Sequence, residues 1–454
     1  MMPKISKLER VLRGALFLLI AALPLYVVRF NIGPLPSTAL EVMVLVVFVL
    51  WLARMLVIPG ASTRNPVNFL DPGSRAASRR LAGMTYFAKF RDEILTHWPL
   101  SLGILFLIMA GTVSMFIAPD LRAAAGLWKA YIIEPVILFF VFVTTFKKED
   151  IPKIIFALSL TALATSVFAI YQKFTGFGIP NPYWAAEETR RVTSVWGFPN
   201  AVGLFLAPLV PMFIGQLFNS HPERRLVASR VEESNPVRFL HSLARRSFGR
   251  NDILKICYYI LVTITSLLAI IFAKSTGALV GLAAALALLG VRYKKTRTLT
   301  LLLAACGIAL VIFIPFLQPI KEELSFKDRS GQIRLDMWGE GIELLSEHPI
   351  LGTGLSSYKE VIRRYRIDKW IEIYQYPHNM MLNFWIELGA LGVLAFILIF
   401  YWAFKTARAA PALLATFAII LIHGLVDVPY FKNDLVIMFW LFVAMIALVR
   451  TRQE

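Results

Sequence analysis

The sequence predicts an all-α fold: a polytopic membrane bundle of about twelve transmembrane helices, with one long outer loop carrying amphipathic helices. Three observations support this. Hydrophobic residues make up 57% of the 454 and charged residues only 17%, with a mean hydropathy of +0.66, where a soluble chain carries about 25% charge. The apolar residues fall in runs of about 17–25, the length that crosses the hydrocarbon core of a bilayer. The net charge of +18 gathers between alternate runs, as the positive-inside rule orders it.

In chain order, spans are expected near residues 11–28, 38–58, 99–118, 126–146, 151–171, 197–218, 253–273, 275–291, 299–320, 379–404, 411–428 and 434–450. Lys4, Lys7, Arg10 and Arg13 precede the first run, and no small-x-small cleavage site follows it. That run reads as an uncleaved span rather than a signal peptide. Pro208 and Pro211 should kink or break the sixth. The chain then divides into a bundle of nine spans over 1–320, a loop over 321–378 and three spans over 379–454.

An even number of spans puts both termini on one side. Basic residues crowd the N-terminus, Arg64–Arg91, Lys147–Lys148, Arg224–Arg250, Arg292–Arg297, Lys405–Arg408 and Arg450–Arg452. These segments, including the polar loops 59–98 and 219–252, are read as cytoplasmic. Insertion and anionic headgroups account for the charge, so no nucleic-acid partner is implied. The 321–378 loop balances its basic and acidic residues and should face the periplasm or exterior of a bacterial inner membrane. Cys257 and Cys306 lie inside apolar runs, which argues against a disulfide framework or a cysteine metal site.

Within the loop, Ile333, Met337, Trp338, Gly341, Leu344 and Leu345 recur at helical spacing. Ser357 and Glu360 have the spacing of a capping box. Behind them Tyr358, Val361, Ile362 and Tyr365 make an apolar stripe, opposite Lys359, Arg363, Arg364 and Arg366. Such helices lie on the membrane or over the bundle.

Three stretches have side chains suited to chemistry. In "YPHNMMLNFWIELGALG" (Tyr376–Gly392), His378 stands at the outer end of a span, with Asn379, Asn383 and Glu387 on one face below it. An intramembrane carboxylate is a functional candidate, and equally a brace between neighbouring helices. In "RRVTSVWGFPNAVG" (Arg190–Gly203), Arg191 can bind phosphate in bidentate fashion or extend to headgroups. Arg334 and Trp338 are one turn apart, ahead of "HPILGTG" (His348–Gly354). Its glycines permit a tight turn, but no Gly-Lys-Ser/Thr follows to make a phosphate loop. His423 and Asp427, four apart, suit a metal or a structural hydrogen bond, and two ligands alone make no metal site. His378, Arg191 and Arg334 share the outer border of lipid and water, the depth of an anionic headgroup.

These residues carry a family resemblance. His378–Asn379, nine residues and then Gly389–Gly392 match a His-[Asn/Ser/Gln]-x9-Gly-x-x-[Gly/Thr/Val] pattern. "RVTSVWGFPN", "RLDMWGEGIELLSEHPILGTG" and "HGLVDVPYFKND" are similar to further segments of the same family. The chain resembles the O-antigen ligase family, which shares its characteristic region with O-antigen polymerases. At "AKSTGALVG" the family often has an arginine before the glycine, whereas Thr276 stands here and Lys274 is the nearest cation.

The resemblance implies a membrane glycosyltransferase of lipopolysaccharide or surface-polysaccharide assembly. Its donor would be a glycan on undecaprenyl diphosphate or a similar polyprenyl diphosphate, its acceptor a lipid or glycan hydroxyl, and it would use no cofactor or metal. Arg191 and Arg334 would stabilise charge on the leaving diphosphate, with Lys274 as a helper, while His378 takes the hydroxyl proton or donates to phosphate. Asn379, Trp338 and Asn200 would contact substrate, Trp196 or Trp338 would line a cleft for the polyprenyl tail, and Glu387 would brace the bundle. A polymerase differs only in acceptor. A transporter is the rival class, but it usually shows internal repeats and midplane charges, and neither is evident here.

Overall fold

The structure is a computed structural model that describes residues 7–33, 35–56, 98–218, 250–292, 294–314, 318–367 and 372–450. The basic segments expected within 57–97 and 219–249 lie outside the described residues. The first helix, α1 (Lys7–Ala21), is followed by a 3-10 turn at Leu23–Val27. It ends short of the expected residue 28 because Pro24 has no N–H to continue the ladder. An antiparallel hairpin, β1 (Arg29–Ile32) and β2 (Leu35–Thr38), then pairs Arg29 with Thr38 and is the exception to an otherwise helical chain among the described residues.

The spans continue with α2 (Ala39–Leu56), α3 (Trp98–Ile117), and α4 (Leu121–Trp128), which runs through a π turn at Lys129–Ile133 into α5 (Glu134–Thr145). Next comes α6 (Ile151–Thr175), and a short turn α7 (Pro182–Ala185) opens the connection to the sixth span. Pro208 and Pro211 break that span into α8 (Asn200–Leu206), a 3-10 turn at Ala207–Leu209 and α9 (Val210–Phe218). Then follow α10 (Arg250–Phe272), α11 (Thr276–Arg292) and α12 (Lys294–Phe313). Among the described residues nine helical stretches are long and apolar enough to cross a membrane, while α11 is a shorter apolar helix.

The connecting segment folds as α13 (Gln318–Leu324), α14 (Arg329–Glu347) and a turn, α15 (Tyr358–Val361). Asp328 caps α14 by accepting from the N–H groups of Ser330 and Gly331. The predicted stripe is inward: Met337, Leu344, Leu345, Tyr358, Ile362 and Tyr365 form one small core with Ile386. The capping box expected at Ser357–Glu360 is absent. Ser357 has helical backbone angles, and its hydroxyl instead donates to the Gly354 carbonyl at 2.6 Å. Arg366, expected on the solvated side, is largely buried, 3.6 Å from Glu340.

The last spans are α16 (Met380–Thr406), α17 (Pro411–His423) and α18 (Asn433–Arg450). Every residue from Asp434 to Leu448 is buried, so α18 is the bundle's axis. Helix α3 lies along α16, α11 along α17, α6 along α10 and α5 along α18. The eleventh span was expected to reach residue 428. It stops at His423, and Gly424–Lys432 form an irregular turn instead. Asp427 and Pro429 explain the stop, one by preferring polar partners and the other by lacking a helical donor.

One interlock fixes the connecting segment to the bundle. Helix α16 is broken at Gly389, whose φ of 68° and ψ of −172° no other residue adopts readily. The break leaves backbone groups for the "HPILGTG" loop to satisfy. Ala390 N–H donates to the Ile350 carbonyl at 2.9 Å, and Thr353 N–H to the Ile386 carbonyl at 2.7 Å. The Trp385 indole donates to the Pro349 carbonyl at 2.7 Å, and Ser114 to that of Glu387. A Cβ on Gly352 would sit 2.4 Å from the Ile386 carbonyl oxygen, and one on Gly389 2.3 Å from that of Ile350. The glycines are therefore there for backbone contact.

Candidate active site

The side chains singled out in sequence meet around the Gly424–Lys432 turn. Arg191 precedes α8, and its Nε donates to the Ala273 carbonyl at 3.0 Å, while Nη2 reaches the Lys274 carbonyl at 3.2 Å and Asn200 Oδ1 at 3.1 Å. Asn200 in turn donates to Asp427 Oδ2 at 2.8 Å. On the other side of Asp427, His378 Nδ1 approaches Oδ1 to 3.4 Å, without the alignment of a hydrogen bond. Arg334, in the second turn of α14, donates from Nε to the Val426 carbonyl at 3.1 Å and from Nη1 to Ser330 Oγ at 2.8 Å. Thus Arg191, Arg334 and His378 converge on residues 426–427 from three separate elements.

Electrostatics sharpen the picture. Neither Arg191 nor Arg334 forms an ion pair among the described residues, yet each lies in the other's field. Burial lowers the Arg191 pKa, partly opposed by Glu323 and reinforced by Arg334. Two guanidiniums in each other's field repel, and an anion between them relieves that repulsion. Burial alone would raise the Asp427 carboxyl. The His378 imidazole, the neighbouring His423 and the Val428 N–H outweigh it and hold that group well below the usual carboxylate range. With Nδ1 turned to this carboxylate, Nε2 is the nitrogen His378 presents elsewhere.

Local backbone serves the same arrangement. His378 itself has a φ of 49° and Lys274 one of 50°, left-handed values costly for side chains with a Cβ and typical of functional turns. Asn379 caps α16 by accepting from Leu382 N–H at 3.0 Å, and its Nδ2 donates to the Leu425 carbonyl at 3.1 Å. The Trp338 indole donates to the Pro377 carbonyl at 3.0 Å and meets Phe326 edge to face. Asn379 and Asn200 are therefore inside the site with their amides held by protein groups. Lys274 offers its carbonyl to Arg191 and leaves its side chain exposed. Lower on α16, the buried Asn383 amide and one Glu387 carboxylate oxygen have no hydrogen-bond partner.

Two sequence readings change. Trp196 was expected to line a cleft, but it is buried and its indole donates to Asp434 Oδ2 at 2.9 Å. The structural hydrogen bond expected between His423 and Asp427 is made by backbone, Asp427 N–H to the His423 carbonyl at 3.0 Å, and not between their side chains among the described residues. Asp427 turns to His378 and Asn200. Sequence reasoning missed Lys432 altogether. Its Nζ lies 3.3 Å from the centroid of the Phe198 ring, buried and without a hydrogen-bond partner. Burial pushes its pKa down to about 8 against the pull of Asp434 and Asp427. Residues 196, 198 and 200 thus face 434, 432 and 427 in three rungs, which locks the Arg191 segment to the turn.

The fold and the site define a class: a multi-pass helical membrane protein that gathers unpaired arginines, a histidine and a buried carboxylate at one end of its helices. The resemblance to the O-antigen ligase family is borne out over residues 261–397, which match that family's model. A 90-residue stretch is also 31% identical to a protein of Rickettsia conorii described as a "putative polysaccharide ligase". That stretch is 18% of this chain and 22% of the relative, so the chain spans about a fifth of the length of the curated relative it matches. The family match includes Lys274, Arg334, His378 and Gly389. Arg191 and the 424–432 turn lie outside it and are joined to it by geometry.

Proposed function

We propose that the protein transfers an oligo- or polysaccharide from a polyprenyl-diphosphate carrier to a hydroxyl of a lipid or glycan, at the outer face of a bacterial inner membrane. Both termini would be cytoplasmic. The observation that carries this reading is the convergence of Arg191, Arg334 and His378 on the 426–427 turn.

Breaking the glycosyl–phosphate bond puts negative charge on the leaving diphosphate. Arg191 Nη1 and Arg334 Nη2 have no hydrogen-bond partner among the described residues, while each guanidinium's other nitrogens are anchored to carbonyls or side chains. They are preorganised donors for that charge. His378 Nε2 takes the proton of the attacking hydroxyl, and Asp427 orients the ring and stabilises the imidazolium that forms. Contact between Nδ1 and the carboxylate shortens as the ring gains charge. No step is assigned to a metal. A ligase and a polymerase would share this chemistry and differ in acceptor.

The test is transfer from a lipid-linked glycan donor by the purified protein in proteoliposomes. Arg191→Ala and Arg334→Ala should each lower the rate by about 10²–10³, and His378→Ala by about 10²–10⁴. Normal transfer in both arginine variants would end the phosphate-clamp reading.

A further inference from the structure

The end of the bundle remote from the candidate site carries cations that the transfer reaction does not use. Two connections meet there. One joins α11 to α12 and bears Arg292, Lys294, Lys295 and Arg297, and the other joins α16 to α17 and bears Lys405 and Arg408. Arg292 Nη2 donates to the Arg408 carbonyl at 3.0 Å, which ties one connection to the other. Thr296 Oγ1 donates to the Gly290 carbonyl at 2.7 Å and pins the start of α12 against the end of α11. Arg292, Lys294, Arg297 and Arg408 are all exposed. No Asp or Glu occurs in 275–320 or 388–426, so neither segment supplies a carboxylate to this group.

The helix rising from these cations is bare. Helix α12 has no buried residue on any face, and among the long apolar helices of the described residues it alone is in that state. It packs on α11 and, at its far end, on α13. The rest of its apolar surface is left to acyl chains. On α16, Leu394, Ile397 and Tyr401 are exposed at helical spacing and lead down to Lys405, whose Nζ lies 5.6 Å from the Tyr401 ring centroid. Apolar surface thus ends in cations on both sides of the Arg292–Arg408 contact. Basic pockets between spanning helices bind phosphate headgroups, and a guanidinium grips phosphate with two parallel hydrogen bonds. The positive-inside tendency accounts for cations near a membrane border. It does not account for Arg292 folding onto Arg408, which draws like charges together.

We propose that this junction binds one phospholipid with two phosphates, of the diphosphatidylglycerol class, in the leaflet opposite the candidate active site. One phosphate lies at Arg292 and Arg408, the second at Lys294 and Arg297, and the acyl chains cover α12. The lipid then staples α12 to the connection between α16 and α17. Helix α16 puts about 40 Å of helix between this junction and His378 at 1.5 Å per residue, so the lipid is neither donor nor acceptor. The site stands whether or not the protein transfers glycans.

The test is native mass spectrometry of the full chain in a nonionic detergent, with tetraoleoyl diphosphatidylglycerol as probe. Dioleoyl phosphatidylglycerol at equal phosphate concentration is the comparison. A single diphosphatidylglycerol per chain should be retained, roughly tenfold more tightly than phosphatidylglycerol. Lys294→Gln/Arg297→Gln removes two exposed cations that form no ion pair among the described residues, so the fold is kept. That protein should hold the probe roughly tenfold more weakly, and Arg292→Gln should do the same. Lys147→Gln/Lys148→Gln makes an equal charge change on the connection between α5 and α6, and should leave affinity within about twofold. Equal retention of the two lipids, or an equal loss in the Lys147/Lys148 protein, would overturn the proposal by showing only surface charge. Unchanged affinity in the Lys294/Arg297 protein would overturn it by placing the lipid elsewhere.

Discussion

Replacing Gly389 by alanine tests whether the connecting segment is keyed into α16. Two costs add. The backbone at φ 68° and ψ −172° is open essentially to glycine, and a side chain there costs about 1–3 kcal/mol. The new Cβ would also lie 2.3 Å from the Ile350 carbonyl oxygen and 2.7 Å from the Leu351 carbonyl carbon, both backbone atoms with no rotamer to change. Relief requires the loop to retreat by about an ångström, which breaks the 2.9 Å bond from Ala390 N–H to Ile350 and strains the 2.7 Å bond from Thr353 N–H to Ile386. Each backbone group left unpaired away from water costs about 1–3 kcal/mol. Gly389→Ala should therefore destabilise by at least about 3 kcal/mol. Tryptophan fluorescence melting of the purified protein in detergent reads this out. The control is Gly339→Ala, on the exposed side of α14 with nothing near its Cβ position, which should be neutral or stabilising by up to about 1 kcal/mol. If both variants melt alike, the interlock is refuted.

Three further outcomes follow from the site. Arg191→Lys and Arg334→Lys keep the charge but lose the planar fork, so transfer should fall by roughly tenfold, less than in the alanine variants; equal rates for lysine and alanine would show that charge alone is insufficient. Asp427→Asn should lower transfer by about 10². Since the Asp427 pKa is held below the unfolded value near 3.9, its stabilisation is complete above that pH and lost only as pH falls through the depressed value. The melting difference from the unsubstituted protein should then stay constant from about pH 5 to about pH 8, and a gap that closes in that window contradicts the assignment. Lys432, its pKa pushed down to about 8, makes the unfolded chain bind more protons between about pH 8 and about pH 10, so native stability rises with pH across that interval. Lys432→Met should raise the neutral-pH Tm by roughly 2–4 °C, with the gain shrinking in alkali; a lower Tm would show that its attraction to Asp427 and Asp434 outweighs burial.

The helices were legible because their signal is local. Apolar runs and prolines placed α8, α9, α16 and α18 to within a few residues, and helical spacing found α14. The members of the candidate site were legible as candidates, since Arg191, Arg334 and His378 stand in recognisable segments. Their connections were not. Asn200 and Asp427 are 227 positions apart, and nothing in either segment names the other. Asp427 was visible only as a neighbour of His423 on a presumed helix, and that helix ends at His423. The hairpin at Arg29–Thr38 escaped notice because four-residue strands carry too short an alternation to register. Lys432 was unremarkable in sequence, because only packing against Phe198 makes it a buried cation.

The spacing from His378 to Gly389 acquires a physical meaning from these contacts. Asn379 starts α16, and Gly389 breaks it about 15 Å lower at 1.5 Å per residue. Helix α14 is fastened at both of these levels. Near its start Arg334 holds the Val426 carbonyl and Trp338 holds that of Pro377, beside His378. Past its end, the Ile350–Thr353 stretch fills the gap at Gly389. A shift of α14 would thus move Arg334 away from Val426 and loosen the Pro377–His378 corner together. The break in α16 is remote from Arg334 and His378, yet it sets the distance between the arginine and the imidazole. Lesions at Gly389 or Gly352 should therefore depress transfer even at temperatures where the protein remains folded.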